Sequence, residues 1–181
     1  MYQISFNNPI HVHFMGIGGI SMSGLAQILI NRGFTISGSD SKKSALTTEL
    51  EEIGAKVFYS QVAENITKDI DLLVYTAAIS KDNPELNKAK EMGIPCMSRA
   101  DLLGEIMENF AASICVCGTH GKTTTTSMVS HILLAAAKDP TITVGGILKA
   151  IDGNIRIGQS DYFVAEACEY TNSFLSFYPK Y

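Results

Sequence analysis

The sequence predicts an α/β protein whose strands run parallel, and three observations carry that prediction. Short apolar runs of strand length alternate with longer segments of helical periodicity along the whole chain of 181 residues. A glycine cluster twice falls between such a run and such a segment, at Gly16 to Gly19 and at Gly118 to Gly121. The alternation restarts near residue 110, so two α/β units are expected, 1–110 and 111–181.

Residues Ile10 to Met15 form the first expected strand, and Ile20, Leu25, Ile28 and Leu29 recur at helical spacing until Gly33 supplies a stop. Phe34 to Ser39 is a second strand closed by Asp40, followed by a helix over Thr47 to Ile53 that Gly54 ends. Lys56 to Tyr59 and Asp71 to Tyr75 continue the strands. Asn83-Pro84 reads as an N-cap with proline at the first helical position. Ile94 to Met97 is a fifth strand, and Ser98 with Asp101 forms a capping pair for a helix reaching about Asn109. In the second unit, Ala111 to Cys117 is a buried strand and Lys122 to about Ala137 a long helix. Thr141 to Val144, Ile155 to Ile157 and Asp161 to Ala167 are further strands, with Asp152-Gly153 as a tight turn.

Composition narrows the function classes. With 46% hydrophobic and 18% charged residues, the chain is an ordinary globular sequence, not a fibrous or disordered one. Its 14 basic and 18 acidic side chains give a net charge of −4 without a run of five like charges. A non-specific grip on nucleic acid or an anionic membrane therefore has no electrostatic source, and any phosphate must be held locally. No apolar stretch reaches the roughly 20 residues of a bilayer span. Met1 to Asn8 lacks the basic-then-apolar pattern of a signal peptide, so a cytoplasmic protein is expected. Cys96, Cys115, Cys117 and Cys168 have no metal-site or disulfide spacing and are expected to be buried free thiols. His11 and His13 share one face of the first strand, where packing or exposure is favoured over metal binding, and His131 is expected to be structural.

The first glycine cluster, Gly16-Ile17-Gly18-Gly19-Ile20-Ser21, joins a strand to a helix and is followed by Asp40 about 20 residues on. Backbone N–H groups there can approach a diphosphate at a helix N-terminus, which identifies the first unit as Rossmann-like. Ser21 stands where the third glycine of a nicotinamide fingerprint would be. Parallel strands place their ligand crevice at their C-terminal ends, so Gly16 to Gly19, Asp40, Thr76 to Ile79 and Arg99 are expected near one another.

The second cluster, Gly118-Thr119-His120-Gly121-Lys122-Thr123-Thr124, is the stronger phosphate signal. It presents loop amides, a lysine and hydroxyls at the start of a helix, a P-loop-type arrangement, although Val116 departs from the full eight-residue spacing. A lysine at a helix N-terminus is electrostatically unfavourable unless an anion is there to meet it. Lys122 is expected on the β/γ-phosphates, Thr123 on Mg²⁺ and Thr124 near a phosphate oxygen. Glu166 ends the run Tyr162-Phe163-Val164-Ala165, where an acid can hold the metal; Glu169 is a second candidate.

Together with Asp82-Asn83-Pro84-Glu85-Leu86, Ser98-Arg99-Ala100 and Phe163-Val164-Ala165-Glu166-Ala167, these loops make the chain resemble the Mur ligase family, most closely its L-alanine-adding branch. The matching stretches cover nearly all of the chain. The resemblance implies a first domain that binds UDP-N-acetylmuramate and a central ATPase domain starting near residue 111. Gly16, Ile17, Gly18, Gly19 and Ser21 would approach the diphosphate, Asp40, Thr76, Ala77 and Ala78 would line the nucleoside side, and Arg99 would be an anion partner. Gly118, Thr119, His120, Gly121, Lys122, Thr123 and Thr124 would hold ATP, with Thr123 and Glu166 on magnesium and Lys122, His120 and Glu166 in the catalytic set. Cys168 stands where many members of that family carry Asp.

The implied reaction moves the γ-phosphoryl group of ATP to the lactyl carboxylate of UDP-N-acetylmuramate. The amine of L-alanine then attacks the acyl phosphate, giving an amide, ADP and phosphate. The protein's share would be positioning two anions and neutralising their charge. The family's later central-domain elements and its third domain, which positions the amino acid, have no counterpart in these residues. An N-terminal fragment without turnover of its own is therefore expected. Two other readings compete: a nicotinamide-dependent oxidoreductase, which leaves the second loop unexplained, and a non-catalytic nucleotide-binding module.

Overall fold

A computed structural model describes residues 2–76, 78–167 and 175–181. The chain forms two compact α/β units, Met1–Leu102 and Leu103–Tyr181. The elements of the first run β1 (His11–Met15), α1 (Ile20–Asn31), β2 (Thr35–Ser39), α2 (Ala45–Glu52), β3 (Lys56–Phe58), β4 (Leu72–Tyr75), α3 (Pro84–Glu91) and β5 (Cys96–Ser98). Its five strands are all parallel, in the order β3-β2-β1-β4-β5. The order reverses beside β1, so the loop after β1 emerges at the topological switch point.

Local chemistry sets the helix ends. Ser44 caps α2 by accepting from the Thr47 amide while the Thr47 hydroxyl accepts from the Ser44 amide, a reciprocal box that starts the helix two residues before the expected Thr47. Asn83 caps α3 through Oδ1, which accepts from the Glu85 and Leu86 amides, with Pro84 at the first helical position. Gly33 and Gly54 end α1 and α2 in the left-handed region, at φ 85° and 106°.

Along β1 the side chains alternate: Val12 and Phe14 are fully buried on one face, His13 and Met15 on the other. Met15 packs with Leu73, Ile66 and Ile70 and with Leu86 and Ala89 of α3. α1 lies against β2 and α2. His11 and His13 serve packing and hydrogen bonding: the Ser37 hydroxyl lies 2.8 Å from His11 Nε2 and 2.9 Å from His13 Nδ1, and His11 Nδ1 meets Asp69 at 2.9 Å.

Helix α4 (Arg99–Glu108) follows β5, with Ser98 Oγ accepting from the Asp101 amide and the Asp101 carboxylate accepting from the Ser98 hydroxyl. The second unit continues through β6 (Ala112–Val116), α5 (Lys122–Ala135), β7 (Thr141–Leu148), β8 (Gly153–Arg156) and β9 (Tyr162–Glu166). Its sheet is ordered β6-β9-β7-β8, with β9 parallel to both neighbours and β8 antiparallel to β7. Phe110 and Phe163, with ring centroids 4.9 Å apart, anchor its core.

Three details differ from the sequence expectation. β7 runs four residues past Val144, because it meets β8 again at Leu148, opposite Gly153, after a register shift that spans Gly145-Gly146. Cys117 is exposed, since β6 ends at Val116 and leaves it in the loop, whereas Cys96 and Cys115 are half-buried; Cys168 lies outside the described residues. His131 is exposed on α5 beside Met128 and Ile132, because the buried stripe of that helix runs through Thr126 and Ser130 instead. Among the described residues no helix is long and apolar enough to cross a membrane.

Two outcomes follow. Phe14→Ala removes a fully buried ring from the central strand and is expected to cost about 3 to 5 kcal/mol, read by urea unfolding; a loss below about 1 kcal/mol would contradict the packing. Burial, with Cys117 adding to it, pushes the Cys115 thiol up to about 11. At pH 8 only about one in a thousand Cys115 side chains is then thiolate. Timed iodoacetamide labelling read by mass spectrometry should modify Cys117 well before Cys115.

Candidate functional site

In the first unit the parallel sheet brings the C-terminal ends of β1, β2, β4 and β5 to one edge, and with them Gly16, Asp40, Thr76 and Arg99. The glycine loop is held from below by two adjacent residues. The Ser39 carbonyl accepts from the Gly16 and Ile17 amides at 2.8 and 3.0 Å. The Asp40 carboxylate accepts from the Gly18 amide at 2.8 Å, and a Cβ built on Gly18 would meet that same oxygen at 2.8 Å. The Gly19 amide turns back to the Gly16 carbonyl.

All four loop amides, Gly16 to Gly19, therefore have acceptors inside the protein. The donors left for a ligand are one turn further on. α1 begins its ladder with the Ser23 amide on the Gly19 carbonyl, so the amides of Ile20, Ser21 and Met22 have no acceptor within the helix. Gly19, the N-cap, supplies no side-chain acceptor. Arg99 comes to this helix end, its Nη1 donating to the Ser21 hydroxyl at 3.0 Å. The site thus combines free helix amides, a hydroxyl and a guanidinium, the donor set that suits an anion.

Asp40 also accepts from the Ser41 amide at 2.7 Å and so serves the loop on one side and the start of the next segment on the other. Thr76 is half-buried at the end of β4, its Oγ1 accepting from the amide of the exposed Ala78. Ala77 lies outside the described residues. Tyr59 donates to Thr47 Oγ1 at 3.2 Å and Lys43 lies over its ring, so a polar aromatic borders the β3 end of the same edge.

In the second unit Gly118, Thr119, His120 and Gly121 form an exposed loop after β6. Gly121 caps α5 at φ 77°, a conformation that penalises any Cβ, and it provides no side chain to the helix end. The Thr125 amide makes the first helical bond, to Gly121, so the amides of Lys122, Thr123 and Thr124 have no acceptor within α5. Lys122 Nζ donates back to the loop carbonyls of Gly118 at 2.7 Å and Thr119 at 3.4 Å, tightening the loop around its own cation.

β6 and β9 pair with Val116 opposite Glu166, which sets the acid beside the loop. Glu166 Oε1 accepts from the Thr123 hydroxyl at 2.7 Å and Oε2 from the Gly145 amide at 2.7 Å. Gly145 is a site residue that the sequence reading missed. A Cβ there would lie 3.0 Å from the Glu166 carboxylate, so a side chain at this position would press on that acid. Its signal was a Gly-Gly pair inside a strand-like run, which marks such an approach. Glu169 and Cys168 lie outside the described residues, and among the described ones no cluster of three or more His, Cys, Asp or Glu side chains could hold a metal by itself.

Comparison with known proteins finds two family matches along the chain. Residues 11–111 match the model of the Mur ligase family, catalytic domain, and residues 116–175 that of the Mur ligase middle domain. The UDP-N-acetylmuramate--L-alanine ligase of Agathobacter rectalis is 66% identical over all of the chain, and that of Acetivibrio thermocellus 61% identical over 99% of it. The chain spans 39% of the length of each. Among solved structures, the UDP-N-acetylmuramate-alanine ligase of Thermotoga maritima superposes with a TM-score of 0.83 at 34% identity, over 95% of this chain and 40% of that one. The UDP-N-acetylmuramate:L-alanyl-gamma-D-glutamyl-meso-diaminopimelate ligase of Neisseria meningitides gives 0.79 at 31%, over 90% and 54%. From the two motif-bearing sheets and these matches, the chain belongs to the Mur ligase family.

Proposed function

We propose that this chain carries the UDP-sugar and ATP cradles of an ATP-dependent ligase that joins L-alanine to the lactyl carboxylate of UDP-N-acetylmuramate in peptidoglycan precursor synthesis. The observation that carries the reading is the second loop. An uncapped helix end, a lysine and a hydroxyl-carboxylate pair are assembled there in one place, and the names of the full-length relatives supply the reaction.

On this reading residues 1–110 bind the UDP-sugar, and residues 111–181 belong to the ATP-binding domain. The diphosphate sits on the amides of Ile20, Ser21 and Met22, with the Ser21 hydroxyl and Arg99 as side-chain donors. Gly16, Ile17, Gly18 and Gly19 shape the turn, and Asp40, Thr76, Ala77 and Ala78 border the nucleoside. Gly118, Thr119, Gly121 and Thr124 cradle the ATP phosphates and His120 reaches them from the loop. Lys122 exchanges its loop carbonyls for phosphate oxygens.

Thr123 and Glu166 suit magnesium. The Thr123 hydroxyl and the Glu166 carboxylate, paired at 2.7 Å, are hard oxygen donors that would hold it together. Magnesium bound there supplies neutralisation of phosphate charge. The Gly145 amide holds the second Glu166 oxygen and so keeps the first one turned toward Thr123. The γ-phosphoryl group passes to the lactyl carboxylate, turning a poor leaving oxygen into a good one. The amine of L-alanine then forms the amide and releases phosphate. Lys122 lowers the cost of bringing two anions together.

Calorimetry on the chain is expected to show UDP-N-acetylmuramate binding and no NAD binding; NAD binding without the UDP-sugar would overturn the proposal in favour of an oxidoreductase. The two cradles should also separate by mutation. Lys122→Ala is expected to weaken ATP by roughly tenfold or more while sparing the UDP-sugar, and Arg99→Ala to do the reverse. A loss of both ligands in either variant would refute the assignment of separate cradles.

A further inference from the structure

Glu85 is a fully buried carboxylate in the first turn of α3. Such a group is among the most costly to remove from water unless donors surround it. The Ser39 hydroxyl donates to Oε2 at 2.6 Å and Asn65 Nδ2 to Oε1 at 2.6 Å. From a third side the buried ring of His13 turns Nε2 toward Oε1 at 3.7 Å, its Nδ1 being fixed by Ser37. Asn83 holds the Glu85 amide and donates through Nδ2 to Gln61, and Asn65 also donates to the Ser60 carbonyl. The carboxylate is thus locked from several elements at once.

What it locks is the floor of the glycine loop. Ser39 accepts the Gly16 and Ile17 amides through its carbonyl, and its neighbour Asp40 accepts the Gly18 amide. Three consecutive loop amides therefore depend on the dipeptide Ser39-Asp40, and the Ser39 side chain is tied to Glu85. An apolar side chain of similar volume would fill the space at lower desolvation cost, but it could not fix the rotamer or the height of Ser39.

We propose that Glu85 is a positioning residue for the nucleoside-diphosphate cradle, acting through Ser39 to set the direction in which the loop delivers the first-turn amides of α1. The proposal rests on the reading of that helix end as the UDP cradle. Glu85 touches no ligand itself. Ser39 and Asn65 both point donors at it; an amide in its place would turn an NH₂ group toward Asn65, or toward a Ser39 hydroxyl that must then accept and reorient.

The test uses the 181-residue chain with UDP as the probe. Glu85→Gln and the milder Ser39→Ala are compared with the unaltered chain by calorimetry against UDP and ATP and by the backbone amide resonances of Gly16, Ile17 and Gly18 without ligand. Both variants are expected to bind UDP roughly tenfold more weakly, with ATP affinity unchanged and the three amide resonances displaced. Unchanged UDP affinity in a folded variant, or a parallel loss of UDP and ATP, would overturn the proposal. If the unaltered chain does not bind UDP, the cradle reading fails. The positioning role is then judged by the ligand-free resonances: displacement supports it and unmoved resonances refute it. Should Glu85→Gln fail to fold, Ser39→Ala decides by the same readings.

Discussion

Both units depend on one constraint, the N–H groups that find no acceptor within their own helix at the start of a helix that follows a buried strand. An α-helix leaves its first amides without intrahelical acceptors, and most helices satisfy them with a capping side chain. α2 and α3 do so with Ser44 and Asn83. α1 and α5 do not: glycine occupies both N-caps and neither offers an acceptor. Those two helix ends are the ones that follow the glycine loops, and each has a cationic side chain nearby, Arg99 at one and Lys122 at the other. The contrast between capped and uncapped helices within one chain marks α1 and α5 as the two whose first turns no N-cap side chain closes.

Where no side chain caps the helix, the loop before it is held by other groups. In the first unit this is done by backbone and buried polar groups: the Ser39 carbonyl, the Asp40 carboxylate and, behind them, Glu85. In the second, Lys122 folds back on the loop carbonyls and Glu166 bridges Thr123 to Gly145. The two solutions differ in chemistry. The first rests on buried Ser39 and Glu85 with Asp40 half-buried at its edge, which favours a fixed geometry. The second is exposed, with a cation on the loop carbonyls and an acid that accepts from a hydroxyl and an amide.

Much of this was legible in the residues. The alternation of apolar runs, the glycine stops at Gly33 and Gly54, the Asn83-Pro84 start and the Ser98/Asp101 pair each correspond to an element end, because those signals act over a few residues of contiguous chain. Strand limits were less legible. β7 extends through Gly145-Gly146, which local propensity disfavours, because it meets β8 again at Leu148, a pairing that no local pattern announces. The exposure of Cys117 and His131 was hidden for the same reason: whether a strand stops one residue earlier, or which stripe of a helix is covered, depends on neighbours remote in sequence.

The sequence by itself determined the α/β class, the order of the elements, the two glycine loops and the side chains that mark them, since each is written in periodicity or in a short motif. Tertiary structure alone decided which donors remain available. Packing β2 beside β1 brings Ser39 and Asp40, more than 20 residues away, under the first loop and consumes the amides the motif seemed to offer. The same pairing of distant strands sets Glu166 and Gly145 against Thr123 and seats Glu85 beneath Ser39. The physical reason is that a hydrogen bond is satisfied by proximity in space, and in a parallel sheet proximity is fixed by strand order, which contiguous residues do not encode.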